Sequence, residues 1–122
     1  MSTFGKRLRG LAALALAFAA LPAAAAETKT GYVKTGGLEY YYEISGAGEP
    51  LLMLHGGLGS IDMFKPILPA FTAHRQVIAV DLQGHGRTAL GKRAFNLPDM
   101  GNDMAAILDA LGFAQVGREN AG

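Results

Sequence analysis

Two short apolar runs, each ending in a glycine-rich turn, constrain the fold of this 122-residue chain most strongly. Residues 51–54 read LLML and lead into HGGLG, and residues 77–80 read VIAV and lead into DLQGHGRT. Both runs are apolar at every position, which is typical of parallel strands that are covered on both faces. We therefore expect two adjacent parallel strands whose glycine-rich turns lie at the same edge of one sheet.

The segment before these runs predicts a β-hairpin. Residues 31–45 read GYVKTGGLEYYYEIS, with Gly36-Gly37 as a two-residue turn between stretches rich in tyrosine and valine. The alternation of apolar and charged positions in the second arm is typical of a half-exposed strand. Residues 46–50, GAGEP, predict a loop that connects the hairpin to the first apolar run.

Two helical segments separate and follow the apolar runs. Ser60 is predicted to cap a helix that begins near Ile61, and Pro66 and Pro69 should kink or split that helix. Residues 96–111 predict a second helix that Asn96 caps and Gly112 ends. The apolar face of this second helix is expected to consist of Leu97, Met100, Met104, Ile107, Leu108 and Leu111.

The first 26 residues have the three-part composition of a secretory signal peptide. A basic start at residues 6–9 precedes an apolar run over residues 11–21, and residues 24–26 are three alanines. The apolar run is far shorter than the roughly 20 residues that cross a bilayer. We expect cleavage between Ala26 and Glu27, export to the periplasm or the medium, and no stable membrane span afterwards. An uncleaved N-terminal anchor is the alternative.

Charge and composition exclude several other classes of protein. The whole chain has a net charge of +1, but three of its bases lie in residues 1–26, which leaves eight bases against ten acids in residues 27–122. The excess of basic residues comes from residues 1–26, so the charge of the chain gives no support to nucleic-acid binding. The chain has no cysteine, so it has neither disulfides nor a thiolate nucleophile. Three scattered histidines without paired spacing predict no metal site, and we expect no cofactor.

A glycine-rich turn directly after a buried strand lets backbone N–H groups face a cavity. In HGGLG, the N–H of Gly57, or of Leu58 beside it, is placed to donate to an anion. In acyl transfer such a donor stabilises the developing oxyanion. The alternative from the residues alone is a purely structural tight turn with His55 hydrogen-bonded beneath it.

The pairing of HGG after one strand with D-x-x-G-H-G-x-T after the next resembles the α/β-hydrolase superfamily over roughly residues 38–117. The resemblance implies an α/β fold, the N-terminal part of the hydrolase sheet, with a β-hairpin followed by parallel strands and crossover helices. It implies that Gly57 contributes an oxyanion-hole N–H and that the intact protein hydrolyses an ester, epoxide, amide or related bond of a small-molecule substrate. It also implies structural roles for the turn residues His55, Gly56, Asp81, Gly84, His85 and Gly86.

The family's nucleophile lies on a G-x-S-x-G turn, and the catalytic acid and histidine follow it. The strand that leads to this turn is expected to open at residues 114–117, yet residues 117–122 read GRENAG. We therefore expect residues 27–122 to form an incomplete, inactive hydrolase domain without a catalytic residue of its own, and Ser60 to be a helix cap. The unpaired edge of the strand at 51–54 should promote aggregation. A non-catalytic module of the same fold that binds a small molecule is the alternative.

Overall fold

The computed structural model describes residues 27–113. The predicted signal peptide and the predicted strand opening at 114–117 lie outside these residues. The elements of the described part are as follows: β1 (Lys29–Thr35), β2 (Leu38–Ser45), β3 (Glu49–Leu54), a 3₁₀ helix (Ile61–Phe64), α1 (Leu68–Thr72), β4 (Arg75–Val80) and α2 (Leu97–Ala110).

The four strands form one mixed sheet in the order β1-β2-β4-β3. The pairs β1–β2 and β2–β4 are antiparallel, whereas β3 and β4 are parallel. Leu54 pairs with Val80, so the carboxyl ends of β3 and β4 lie side by side. Both glycine-rich turns therefore leave the same edge of the sheet, which confirms the α/β arrangement that the two apolar runs predicted.

The predicted hairpin is confirmed, although the strand boundaries differ. Gly36 and Gly37 have φ values of 63° and 79°, the left-handed conformations that a two-residue hairpin turn requires. The prediction of a loop over 46–50 was wrong at its end, because Glu49 and Pro50 already pair with β4. Pro50 has no N–H to donate, and such a residue is tolerated where a strand has a neighbour on one side only.

The main hydrophobic core lies between one face of the sheet and α2. It consists of Leu38, Tyr40, Tyr42, Ile44, Ile78, Val80, Met104, Ile107 and Leu108. Asn96 caps α2 as predicted, since its side chain accepts a hydrogen bond from the Asp99 N–H at 3.0 Å. The placement of Leu97 on the buried face was wrong: its side chain is 81% exposed. The residues before Met100 are exposed, so the first turn of α2 extends past the core.

The opposite face of the sheet is covered by the 3₁₀ helix. Ile61 and Phe64 pack against Tyr41 and Ala79, so Tyr41 is buried and β2 is not half-exposed at its centre as its alternation suggested. β3 is half-buried, which differs from the prediction that both of its faces are covered. Among residues 27–113, β3 pairs with β4 alone.

The helical segment between β3 and β4 is split, as its two prolines predicted. Ser60 caps the 3₁₀ helix, and Pro66 lies between that helix and α1. The longest helix within residues 27–113 is the 14-residue α2. No helix in that range has the length and apolarity that crossing a membrane requires.

Candidate functional site

Two histidines join the first turn (residues 55–60, after β3) to the second turn (residues 81–88, after β4). His55 belongs to the first turn, and its Nε2 accepts a hydrogen bond from the Leu82 N–H at 2.9 Å. His85 belongs to the second turn, and its Nε2 accepts from the Leu58 N–H at 3.1 Å. The ring centroids are 5.0 Å apart. We call this reciprocal pair of contacts the histidine clasp.

The hydrogen bonds of the clasp determine which ring nitrogen carries a hydrogen. The Nδ1 of His55 lies 2.7 Å from the Gly56 carbonyl oxygen, and the Nδ1 of His85 lies 2.9 Å from the Gln83 carbonyl oxygen. A carbonyl oxygen only accepts, so Nδ1 carries the hydrogen and Nε2 presents its lone pair in both rings. Both nitrogens of each ring are therefore occupied, which leaves neither histidine free to act as a base or a metal ligand.

The second turn is built around the carboxylate of Asp81, which is completely buried. One carboxylate oxygen accepts from the Ile61 N–H at 2.7 Å and the other from the Arg87 N–H at 2.8 Å. Gly86 has a φ of 53°, and a Cβ at this position would overlap the Asp81 carboxylate. The side-chain oxygen of Thr88, the last residue of the D-x-x-G-H-G-x-T motif, accepts from the Tyr41 N–H at 2.9 Å. This turn is consequently a closed scaffold that also fixes the 3₁₀ helix.

The first turn is open by comparison. Gly56 and Gly57 are exposed, and a Cβ at either position would meet no atom within 4 Å. The Gly57 N–H has no hydrogen-bond acceptor among residues 27–113. The Leu58 N–H, by contrast, is bonded to His85. Of the two predicted donors, Gly57 is therefore the one whose N–H is free.

The direction of the Gly57 N–H follows from its peptide group. The carbonyl of Gly56 shares that planar group and accepts from both His55 Nδ1 at 2.7 Å and the Gly59 N–H at 3.2 Å. Because N–H and C=O point in opposite directions in a trans peptide, the Gly57 N–H points away from the side on which His55 and the Gly59 N–H hold the carbonyl. The next residue, Leu58, has a φ of 65° and a fully exposed side chain. A left-handed leucine costs about 1–2 kcal/mol, which is strain of the kind found at functional sites.

Ser60 has the geometry of a cap. Its side-chain oxygen accepts from the Asp62 N–H at 3.2 Å at the start of the 3₁₀ helix. Within residues 27–113, no serine hydroxyl is hydrogen-bonded to a histidine or a carboxylate. The described residues also contain no group of three His, Cys, Asp or Glu side chains that could hold a metal ion.

A buried polar network connects the second turn to α2, and the sequence analysis did not predict it. Asp103 on α2 accepts from the Tyr40 hydroxyl at 2.6 Å and from Arg93 Nη2 at 2.7 Å. Arg93 Nη2 also lies 3.1 Å from the side-chain oxygen of Gln83, whose amide nitrogen donates to the carbonyls of Leu90 and Arg93. The sequence contained one sign of this network: Asp103 is a charged residue on the apolar face of α2, between Met100 and Met104.

The network shifts the pKa values of its members. Burial raises the pKa of Tyr40 to about 12, and the hydrogen bond to Asp103 adds to the effect. Burial by itself would raise the pKa of Asp103, but the hydrogen bonds from Arg93 and Tyr40 outweigh burial and hold the pKa below its usual value. Asp103 is thus an ionised partner of Arg93, and the pair fixes Gln83 in the second turn.

Sequence relatives agree with this architecture. The family model for the alpha/beta hydrolase fold matches residues 49–117. A protein of Azorhizobium caulinodans, provisionally assigned as the carbamate hydrolase RutD, is 38% identical over 81 residues, which are 66% of this chain and 31% of that protein. The soluble epoxide hydrolase of a Corynebacterium species is 32% identical over 81 residues, 66% of this chain and 28% of that protein.

Solved structures show the same fold. The epoxide hydrolase CorEH superposes with a TM-score of 0.66 and 29% identity, covering 70% of this chain and 30% of that one. A mutant of the haloalkane dehalogenase DatA from Agrobacterium tumefaciens gives a TM-score of 0.62 and 28% identity, covering 69% and 29%. The chain thus spans less than a third of the length of these relatives. It belongs to the α/β-hydrolase fold family.

Proposed function

We propose that residues 27–122 provide the oxyanion-binding half of an exported small-molecule hydrolase. The observation that carries this proposal is the Gly57 N–H, which lies exposed and without an acceptor among the described residues, on a turn at the carboxyl edge of parallel strands. A donor of this kind stabilises negative charge that develops on a substrate oxygen, and losing one typically lowers the rate by about 100- to 1,000-fold.

In the proposed reaction, a nucleophile on a segment outside the described residues attacks the substrate, and the scissile bond breaks as the covalent intermediate forms. Water then hydrolyses this intermediate, which releases the product and the free nucleophile. The Gly57 N–H donates to the oxygen on which negative charge develops. The peptide group needs no reorganisation when that charge appears, because His55 and the Gly59 N–H already hold the Gly56 carbonyl. The residues Asp81, Gly84, His85 and Gly86 act as the scaffold of this arrangement.

The substrate is proposed to be an ester, an epoxide, an amide or a related small molecule. The relatives are named for carbamate and epoxide hydrolysis and for haloalkane dehalogenation, which supports a small-molecule substrate. We infer a serine or aspartate nucleophile for the intact enzyme, because the family uses a nucleophilic side chain on the turn that follows the next strand.

DNA sequence beyond codon 122 tests the first part of the proposal. One reading frame should encode a Gly-x-Ser-x-Gly turn, or the same turn with aspartate, within a few codons. If no frame encodes such a turn, these residues do not belong to a nucleophilic hydrolase.

Paired variants at Gly57 test the role of its N–H in the protein that includes this turn. Gly57→Pro removes the N–H and should lower kcat by about 100- to 1,000-fold. Gly57→Ala is the matched control, because it keeps the N–H and its Cβ meets no atom within 4 Å. Equal activity of the two variants would contradict the proposed donor.

The chain by itself is expected to show no turnover above background, since the hydroxyl of Ser60 serves as a cap. A serine-directed fluorophosphonate probe should leave Ser60 unlabelled. Labelling that Ser60→Ala abolishes would identify Ser60 as a nucleophile and overturn this assignment.

Export is proposed from the composition of residues 1–26. Mass spectrometry of the chain recovered from the periplasm or the medium should show a protein that begins at Glu27. Recovery of the chain with residues 1–26 attached, in a membrane fraction, would support the uncleaved anchor instead.

A non-catalytic binding module is the second candidate, favoured by the open first turn together with a capped Ser60. In that case a small carboxylate such as acetate should raise the melting temperature of the chain, and Gly57→Pro should abolish the shift while Gly57→Ala retains it. A melting temperature that acetate leaves unchanged would argue against the module.

A further inference from the structure

We propose that His85 is a positioning residue for the Gly57 donor: it locks the peptide group that follows Gly57 and withdraws the Leu58 N–H from the site. This inference rests on the proposed function of Gly57. The observation that points to it is the hydrogen bond from the Leu58 N–H to His85 Nε2, which spans 27 positions in sequence and joins the two turns.

The first turn needs a restraint on each side of Gly57. Glycine rotates freely about both of its backbone bonds, and Gly56 and Gly57 have no side chain to anchor them. The peptide group before Gly57 is held through the Gly56 carbonyl. The group after it contains the Leu58 nitrogen, and His85 accepts the hydrogen of that nitrogen. The two peptide groups that flank Gly57 are therefore fixed by different residues.

Packing does not account for the conformation of Leu58. Its backbone is left-handed, with a φ of 65°, and its side chain is fully exposed. Such a conformation persists when the surroundings determine it. The His85 contact is the interaction that ties the Leu58 backbone to the second turn.

The same contact determines which of the two neighbouring N–H groups, that of Gly57 or that of Leu58, is available to a ligand. Two adjacent free N–H groups on a glycine-rich turn could both donate to one anion. Because Leu58 donates to His85, Gly57 alone presents a free N–H between the two positions.

His85 is itself held in the tautomer that this contact needs. Its Nδ1–H donates to the Gln83 carbonyl, so Nε2 keeps its lone pair. Gln83 is completely buried, and its side-chain amide donates to the carbonyls of Leu90 and Arg93. The buried network thereby restrains Gln83, Gln83 restrains His85, and His85 restrains the first turn.

An NMR measurement on the ¹⁵N-labelled protein that includes the nucleophile tests the contact directly. A through-hydrogen-bond scalar coupling is expected between the Leu58 nitrogen and His85 Nε2. The equivalent coupling between the Leu82 nitrogen and His55 Nε2 is the internal control, because it reports the other half of the clasp. A Leu82 coupling without a Leu58 coupling would overturn the proposal without requiring any variant.

Two variants of similar shape separate positioning from simple packing. His85→Gln retains an acceptor near the Nε2 position, whereas His85→Met has a similar length but no comparable acceptor. Amide hydrogen exchange of Leu58 should accelerate by at least tenfold in His85→Met and stay near wild type in His85→Gln, while that of Leu82 stays unchanged in both. Equal exchange of Leu58 in the two variants would contradict the proposal.

Kinetics of the protein that includes the nucleophile distinguish this inference from the proposed function. His85→Met should lower kcat by about 10- to 100-fold with little change in KM, and His85→Gln should restore most of the rate. If Gly57→Pro and Gly57→Ala differ but the two His85 variants do not, the donor stands and the positioning role fails. If the Leu58 coupling is present but Gly57→Pro stays active, the contact stands and the proposed function fails.

Discussion

The two glycine-rich turns follow neighbouring strands at the same edge of the sheet, yet they use their glycines for opposite purposes. In the second turn Gly86 makes room for the Asp81 carboxylate, and the Arg87 N–H donates to that carboxylate. In the first turn Gly57 faces open space, and its N–H is free of acceptors among residues 27–113. Glycine is thus needed for close packing in one turn and for access in the other.

A glycine-rich motif after a buried strand is therefore ambiguous until its hydrogen bonds are known. The second turn is held by hydrogen bonds of Asp81 and Thr88 to the 3₁₀ helix and β2, and so acts as a scaffold. The first turn presents the Gly57 N–H, which has no acceptor among residues 27–113. It relies on the second turn for support, through the bonds of His55 to Leu82 and of Leu58 to His85. Changes at Asp81 and Gly86 in the second turn should therefore affect stability, and changes at Gly57 in the first should affect function.

Asp81→Ala should have the largest effect on stability. It removes the acceptor of both the Ile61 and the Arg87 N–H groups. Because an unpaired buried donor costs about 1–3 kcal/mol, we expect the loss of both bonds to lower the free energy of unfolding by roughly 2–6 kcal/mol. Urea titration measures this loss.

Asp62→Ala is the matched control, since Asp62 is half-exposed and forms a surface ion pair with Lys65. This variant should change stability by less than about 1 kcal/mol. Similar losses in both variants would mean that the second turn is not the scaffold.

Gly86→Ala should have the next largest effect. The new Cβ overlaps the Asp81 carboxylate, and the left-handed φ of 53° disfavours alanine. We expect a destabilisation of roughly 2 kcal/mol, measured by the same titration. A neutral Gly86→Ala would show that the second turn is as open as the first.

Lowering the pH should weaken the support of the second turn. The pKa of Asp103 is held below its usual value by Arg93 and Tyr40, against the effect of burial. The stability from this carboxylate is therefore present above the usual aspartate pKa of about 3.9 and is lost as the pH falls through the lower value of the folded state. Asp103→Asn should lack this part of the acid dependence of the unfolding free energy. Identical acid profiles of the variant and the wild type would contradict the role of the ion pair.

Gly57→Ala should have the smallest effect. Its Cβ lies in open space, so the free energy of unfolding should change by less than about 0.5 kcal/mol. A destabilisation comparable to that of Gly86→Ala would remove the distinction between the two turns.

The local patterns of the sequence predicted the elements that position the site. Apolar runs identified β3 and β4, and the resemblance to the hydrolase family placed the two turns that follow them. The cap residues Ser60 and Asn96 were also predicted, because a cap contacts an N–H only two or three residues away. Such contacts are encoded within a few residues of each other.

Contacts between distant residues were the part that could not be predicted. The clasp joins residues 27 positions apart, and the Tyr40–Asp103 bond joins residues 63 positions apart. The burial of Tyr41 depends likewise on the 3₁₀ helix that covers it. Histidine in a turn is compatible with catalysis, metal binding or structure, and only the partners of both ring nitrogens separate these roles.

Amide hydrogen exchange of the protein that includes the nucleophile is the sharpest test of the difference between the two turns. We expect the Gly57 N–H to exchange at close to the rate of an unstructured peptide. The Arg87 N–H, which donates to the buried Asp81 carboxylate, should be strongly protected. Strong protection of Gly57, or equal exchange at the two positions, would contradict this difference.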